Sequence, residues 1–192
     1  MKELVKIARK TLEDFFETGK FQIKKYDKFK EKKGVFVTIH SFPEKELRGC
    51  IGLPQPEYPL FEAVQIAAIE AAFSDTRFPH LKKDELNKII LEISVLTVPK
   101  IIDGKPNCYL DKIENGKDGL ILEHGLNKGL FLPQVWEEIP NKKEFLDALC
   151  WKAGLTPDYW LDEKTKLYKF HVKIFREKEP NGEIEEINLE KR

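Results

Sequence analysis

Apolar residues recur at helical spacing from the first turn of the chain. Leu4, Val5, Ala8, Leu12, Phe15 and Phe16 fall on one face over residues 2–18, and Gly19 follows as a natural stop. The pattern then changes period. Residues 35–41 (VFVTIHS) alternate apolar and polar with β-branched side chains, which predicts a strand. A polar turn separates them from LRGCIGL (47–53), read as a second strand antiparallel to the first. Leu60, Val64, Ala67, Ala68, Ala71 and Ala72 predict a helix over 60–73, whose alanines imply close approach to another element. Residues 84–88 read as a short helical turn and 88–98 (KIILEISVLTV) as the most apolar strand. Two apolar runs, 119–123 and 129–132, flank a glycine-containing turn and predict a hairpin. Phe145, Leu146, Leu149, Cys150 and Ala153 mark the buried stripe of a helix over 142–153 ended by Gly154. Residues 166–177 alternate as one final strand, and the acidic stretch 179–192 reads as a frayed tail. Strands in hairpin-like pairs, without regular βαβ alternation, give an α+β class.

Composition narrows the function classes. Hydrophobic residues make up 41% of the 192 residues, enough for a core, while 33 basic residues balance 33 acidic ones. A neutral chain argues against a dedicated nucleic-acid binder. The lysine-rich segment 20–33, with seven lysines against Asp27 and Glu31, reads first as a solvated surface and second as an anion- or nucleic-acid-binding patch. No run approaches the ~18 apolar residues of a membrane helix, and the charged amino terminus lacks a signal-peptide centre. The expectation is a cytoplasmic protein without membrane attachment. Cys50, Cys108 and Cys150 are far apart and odd in number, which argues for thiols rather than disulfides or a Cys-x-x-Cys zinc site. Glycine-rich phosphate loops and HExxH are missing, so no cofactor and no metal are expected.

The segment that most needs explaining is LRGCIG. Strand alternation puts Arg48, Cys50 and Gly52 on one face and Leu47, Gly49, Ile51 and Leu53 on the other. A guanidinium beside a thiol lowers its pKa, and flanking glycines (Gly49, Gly52) leave room for a ligand. That makes Cys50 a candidate nucleophile with Arg48 as activator or anion anchor. The alternative is a small packed cysteine with Arg48 in a structural ion pair. No histidine lies within the motif. His40 and His80 are weak candidates for a base, and Asp75 and Glu92 could serve as acid/base groups or as partners of Arg48 and Arg77.

LRGCIG resembles the hallmark motif of the AMMECR family, named for the AMME syndrome critical region and represented in microbes by system protein A of the AmmeMemoRadiSam trio. AAFSDTRFPHL (71–81), LEISVLTVPKII (91–102), GLILEHGLNKGLFLPQVW (119–136) and FLDALCWKAGL (145–155) resemble the family in order, from about residue 4 to 176. The resemblance implies a single α+β domain over 1–178 with two unequal lobes, an antiparallel sheet flanked by helices, and the motif near a cleft. It carries over Arg48, Cys50, Asp75, Arg77, Glu92, Ser94, Gln134 and Lys152 as family-specific polar residues. It implies a Memo-type protein and a radical SAM protein as partners, and it brings no assigned reaction. Three functions remain open: thiol-dependent chemistry at Cys50 on a small molecule or peptide, a non-catalytic binding or scaffold module, and, least favoured, a nucleic-acid-associated factor.

Overall fold

The computed structural model describes residues 1–188. The chain forms two compact units, one of Met1–Leu96 with Lys173–Ile187 and one comprising Thr97–Val172.

In the first unit, helix α1 (Glu3–Thr18) is followed by strands β1 (Val35–Ser41) and β2 (Leu47–Leu53), helix α2 (Leu60–Phe73) and strand β3 (Ile89–Leu96). The chain returns later as β8 (Val172–Glu177) and β9 (Ile184–Ile187), giving a sheet of order β2-β1-β3-β8-β9. β1 pairs antiparallel with both β2 and β3. Because β1 alternates without interruption, Val35, Val37 and Ile39 all enter the core beneath α1 and α2, with Leu91, Ile93 and Val95 of β3 beside them. Phe36, Thr38 and His40 therefore stand on the opposite face. Ala67, Ala68, Ala71 and Ala72 of α2 are buried as expected, and Ala63 with them, and this small-residue surface lets the helix lie close to β2. The expected helix stop is met too, with Gly19 left-handed at φ 68°.

The first unit also contains a buried polar tie that helical periodicity does not reveal. Arg9 of α1 and Glu177 of β8 are 4% and 3% exposed and form a two-pronged ion pair. Arg9 also donates to the carbonyls of Leu86 (2.7 Å) and Ile89 (2.9 Å), and Glu177 accepts the Leu91 N–H at 2.9 Å. Buried charges persist only with such saturation.

In the second unit, β4 (Lys100–Ile101) and the short helix α3 (Tyr109–Lys112) precede the hairpin β5 (Gly119–His124) and β6 (Asn127–Phe131). Helix α4 (Lys142–Lys152) and β7 (Lys166–Phe170) complete it, with sheet order β4-β7-β5-β6. Asn141 caps α4 by accepting from the N–H groups of Lys143 and Glu144. Phe145, Leu146, Leu149 and Cys150 are buried around Trp136, whose ring stacks on Phe145 at 3.6 Å.

Two sequence expectations are corrected. The single strand over 166–177 is two strands in different sheets, β7 and β8. His171 interrupts it, because its N–H donates to Thr97 Oγ1 and its carbonyl accepts the Thr97 N–H, both at 2.9 Å. Within the stretch read as a frayed tail, Ile184–Ile187 pairs antiparallel with β8 and buries Ile184. Residues 189–192 of that stretch lie outside the described residues.

Candidate functional site

LRGCIG forms β2, an edge strand, and its geometry differs from simple alternation. Cys50 stands opposite Thr38 and Gly49 opposite Ile39, but His40 pairs with Leu47, leaving Arg48 as an extra residue in a bulge. Leu47, 41% exposed, thus takes the place opposite His40 that alternation assigns to Arg48. The bulge turns Arg48 toward the loop after α2. Its guanidinium grips Glu85 with two bonds, of 2.9 and 3.2 Å, and donates to the carbonyls of Pro79 (2.7 Å) and His80 (3.3 Å). The expectation that Arg48 activates the cysteine is corrected: Arg48 pins a loop, and its positive charge is matched by Glu85.

Cys50 itself lies on the polar side of the sheet, partly buried, with its sulfur 3.3 Å from Thr38 Oγ1. Thr38 in turn stands opposite Glu92 on β3, and Glu92 is 3.6 Å from Arg176 on β8. A polar row therefore crosses four strands. Ser94, buried, stands opposite Phe36, and Phe36 stands opposite Gly52. The ring of Phe36 fills the space a side chain at 52 would need, so Gly52 makes room for a phenylalanine and not for a ligand. Gly49 faces the helix side, where the Ala71 carbonyl takes the place of a Cβ.

The outer edge of β2 is closed by the SDTR loop. Asp75 Oδ2 accepts the Cys50 N–H at 2.9 Å, and the Arg77 guanidinium reaches the Cys50 carbonyl at 3.5 Å. Arg77 also binds Asp75 through Nε (2.9 Å) and Nη2 (2.8 Å). The two side chains thus satisfy the edge backbone as a neighbouring strand would. Asp75 is buried, while the Arg77 side chain is 57% exposed. Of Arg48 and Arg77, Arg77 is the one that leaves charge facing solvent beside Cys50.

Electrostatics follow from this placement. Burial pushes the Cys50 thiol up, outweighing the Thr38 hydrogen bond and the Arg77 charge, while Asp75 and Glu92 push it further in the same direction. Burial, reinforced by Arg176, lowers His40, whose Nε2 is buried without a hydrogen-bond partner. The Arg77 guanidinium draws Asp75 down to about 2 from 3.8. A depressed carboxylate stabilises the fold above its unfolded pKa, and that contribution disappears as pH falls through the folded value. Asp75→Asn is therefore expected to lower stability by about 2 kcal/mol at pH 7, with the gap to the parent protein closing between pH 4 and 2. Urea unfolding at stepped pH checks this, and a gap that persists unchanged at pH 2 contradicts it.

The remaining candidates belong to the second unit. Gln134 is partly buried with its Oε1 lacking a partner, and Lys152 is exposed at the end of α4. Cys150 is fully buried, with burial raising its thiol, and Cys108 is exposed. Thr38 and Glu85 are the residues sequence reasoning missed. Thr38 sits at the polar phase of a strand directly opposite the cysteine, but only the register reveals that. Among the described residues no three His, Cys, Asp or Glu side chains converge to hold a metal ion.

The sequence matches the AMMECR1 family over residues 5–175. The chain belongs to the AMMECR1 family. It is 48% identical to protein MJ0810 of Methanocaldococcus jannaschii, across 96% of this chain and 94% of that protein. A protein of Aquifex aeolicus is 43% identical and covered at 98% on both sides. The crystal structure of the uncharacterized protein PH0010 from Pyrococcus horikoshii superimposes with a TM-score of 0.89 at 47% identity, covering 97% of this chain and 95% of that one. LRGCIG and SDTR, which meet at the edge of β2, both fall inside the family span. Among the described residues no helix is long and apolar enough to cross a membrane.

Proposed function

We propose that the Cys50 edge of the first unit is a ligand-binding face, a non-catalytic recognition surface for a small molecule or peptide bearing a carboxylate or phosphate. The observation that carries this reading is Arg77. Its guanidinium is held by the buried Asp75 carboxylate, lies against the Cys50 backbone, and remains more than half exposed. A fixed, planar, partly solvated guanidinium is suited to anion recognition. Cys50 contributes a protonated thiol and Thr38 a hydroxyl to the same face.

A screen of small carboxylates and phosphates by amide chemical shifts tests the reading. Binders are expected to shift residues 49–52 and 75–77, and Arg77→Ala is expected to abolish those shifts while leaving the rest of the spectrum intact. Binders that map elsewhere, or that survive Arg77→Ala unchanged, overturn it. A second reading, thiol-dependent chemistry at Cys50, draws support from the Thr38 hydroxyl and the Arg77 charge, both of which favour the thiolate. It needs a ligand that replaces the burial now raising the thiol.

A further inference from the structure

The second unit holds a group of side chains that neither the motif nor its ligand face uses. Asp118, just before β5, is fully buried. Its Oδ2 accepts the Glu114 N–H at 2.9 Å, and its backbone carbonyl accepts Trp136 Nε1 at 2.7 Å, which fixes the loop that carries it. Asp118 Oδ1 is 2.9 Å from His171 Nε2, and Oδ2 is 3.4 Å from Lys169 Nζ. The His171 ring is 49% exposed although its backbone is locked to Thr97 on both sides.

Counting hydrogen-bond valences shows what this cluster leaves open. A carboxylate only accepts, so His171 Nε2 carries the proton, and in the neutral ring Nδ1 is a lone-pair acceptor. Lys169 has three N–H donors. One goes to the Lys112 carbonyl at 2.9 Å and one to Asp118, leaving one. A single buried carboxylate thus orients one free acceptor and one free cationic donor, both on partly exposed side chains. Glu114 at the rim is exposed and paired with Lys117 at 2.9 Å, so its negative charge is matched. The complementary ligand must supply both a proton for His171 and negatively charged oxygen for Lys169.

We propose that Asp118, His171 and Lys169 form a site for an oxyanion that retains a proton, inorganic hydrogenphosphate, with His171 Nδ1 accepting the anion's O–H and Lys169 donating to its oxygen. Discrimination follows from the acceptor. Sulfate has the size and charge of phosphate but no proton at neutral pH, so it meets His171 lone pair to lone pair. The proposal is independent of the reading given to the Cys50 face.

The test is a titration of the protein at pH 8 with inorganic phosphate and, separately, with sulfate at matched ionic strength, read from the His171 ring and the Gly119 amide by NMR. Phosphate is expected to shift both saturably, sulfate to leave them unmoved, and Lys169→Met to weaken phosphate about tenfold, the loss of roughly one charge-assisted hydrogen bond. Equal shifts with sulfate mean an adventitious ion only and overturn the proposal. So does the lack of a shift with phosphate. The comparison of the two anions on the parent protein decides the matter even where Lys169→Met disturbs the fold.

Discussion

Arg9→Ala is expected to destabilise the first unit by about 3–5 kcal/mol, the usual loss when one partner of a buried ion pair is removed. The reason is the company the guanidinium keeps. It bonds Glu177 of β8 and the carbonyls of Leu86 and Ile89, and Glu177 holds the Leu91 N–H of β3. Removal strands a carboxylate that is 3% exposed and leaves two carbonyls without a donor. Replacing both partners by apolar residues, Arg9→Met with Glu177→Leu, is expected to recover part of the loss, because the uncompensated charge is gone. Recovery stays partial, since the backbone groups of Leu86, Ile89 and Leu91 still lack partners. Urea unfolding of the single and double variants measures this. An Arg9→Ala protein within 1 kcal/mol of the parent, by the ~1.4 kcal/mol-per-decade scale of such equilibria, shows that the tie is dispensable.

Gly49→Ala carries the second large effect. A Cβ at this position collides with the Ala71 carbonyl of α2, backbone against backbone, with no rotamer to relieve it. The expected loss is about 3 kcal/mol or more, at the upper end of overpacking. Gly52→Ala collides instead with the Phe36 ring, a side chain that can be shortened. Its expected loss is about 1–3 kcal/mol, recovered when Phe36→Leu accompanies it. Thermal unfolding of the three proteins separates the two glycines, and failure of Phe36→Leu to rescue Gly52→Ala contradicts the packing described. Both glycines of the motif are thereby explained by close approach of the fold itself.

What the sequence discloses and what it conceals divide along range. Leu4, Val5, Ala8 and Leu12 declare α1 because period 3.6 is local, and Val35, Val37 and Ile39 declare the core face of β1 because period 2 is local. The role of Arg48 was hidden because a bulge is a property of two strands in register, not of one. Arg9 and Glu177 are 168 positions apart, and an arginine in a helical repeat gives no sign of its partner. The break at His171 was invisible because apolar alternation runs through it, while the chain changes sheets for a reason held by Thr97. Ile184 was missed since a single burying residue among glutamates reads as a solvated tail. Within the candidate site, Cys50, Asp75 and Arg77 can be singled out from the sequence, but their arrangement as a strand-edge clamp belongs to the folded chain.

The rate at which iodoacetamide alkylates Cys50, followed across pH 6 to 10 with Cys108 in the same molecule as an exposed comparator, tests the central account most directly. Cys50 is expected to react more slowly than Cys108 at pH 7, to gain reactivity only above the ordinary cysteine range, and to keep that profile in Arg48→Ala. Rapid alkylation of Cys50 at pH 7 that collapses in Arg48→Ala would mean an arginine-activated thiolate, and the protonated thiol described for this face would be wrong.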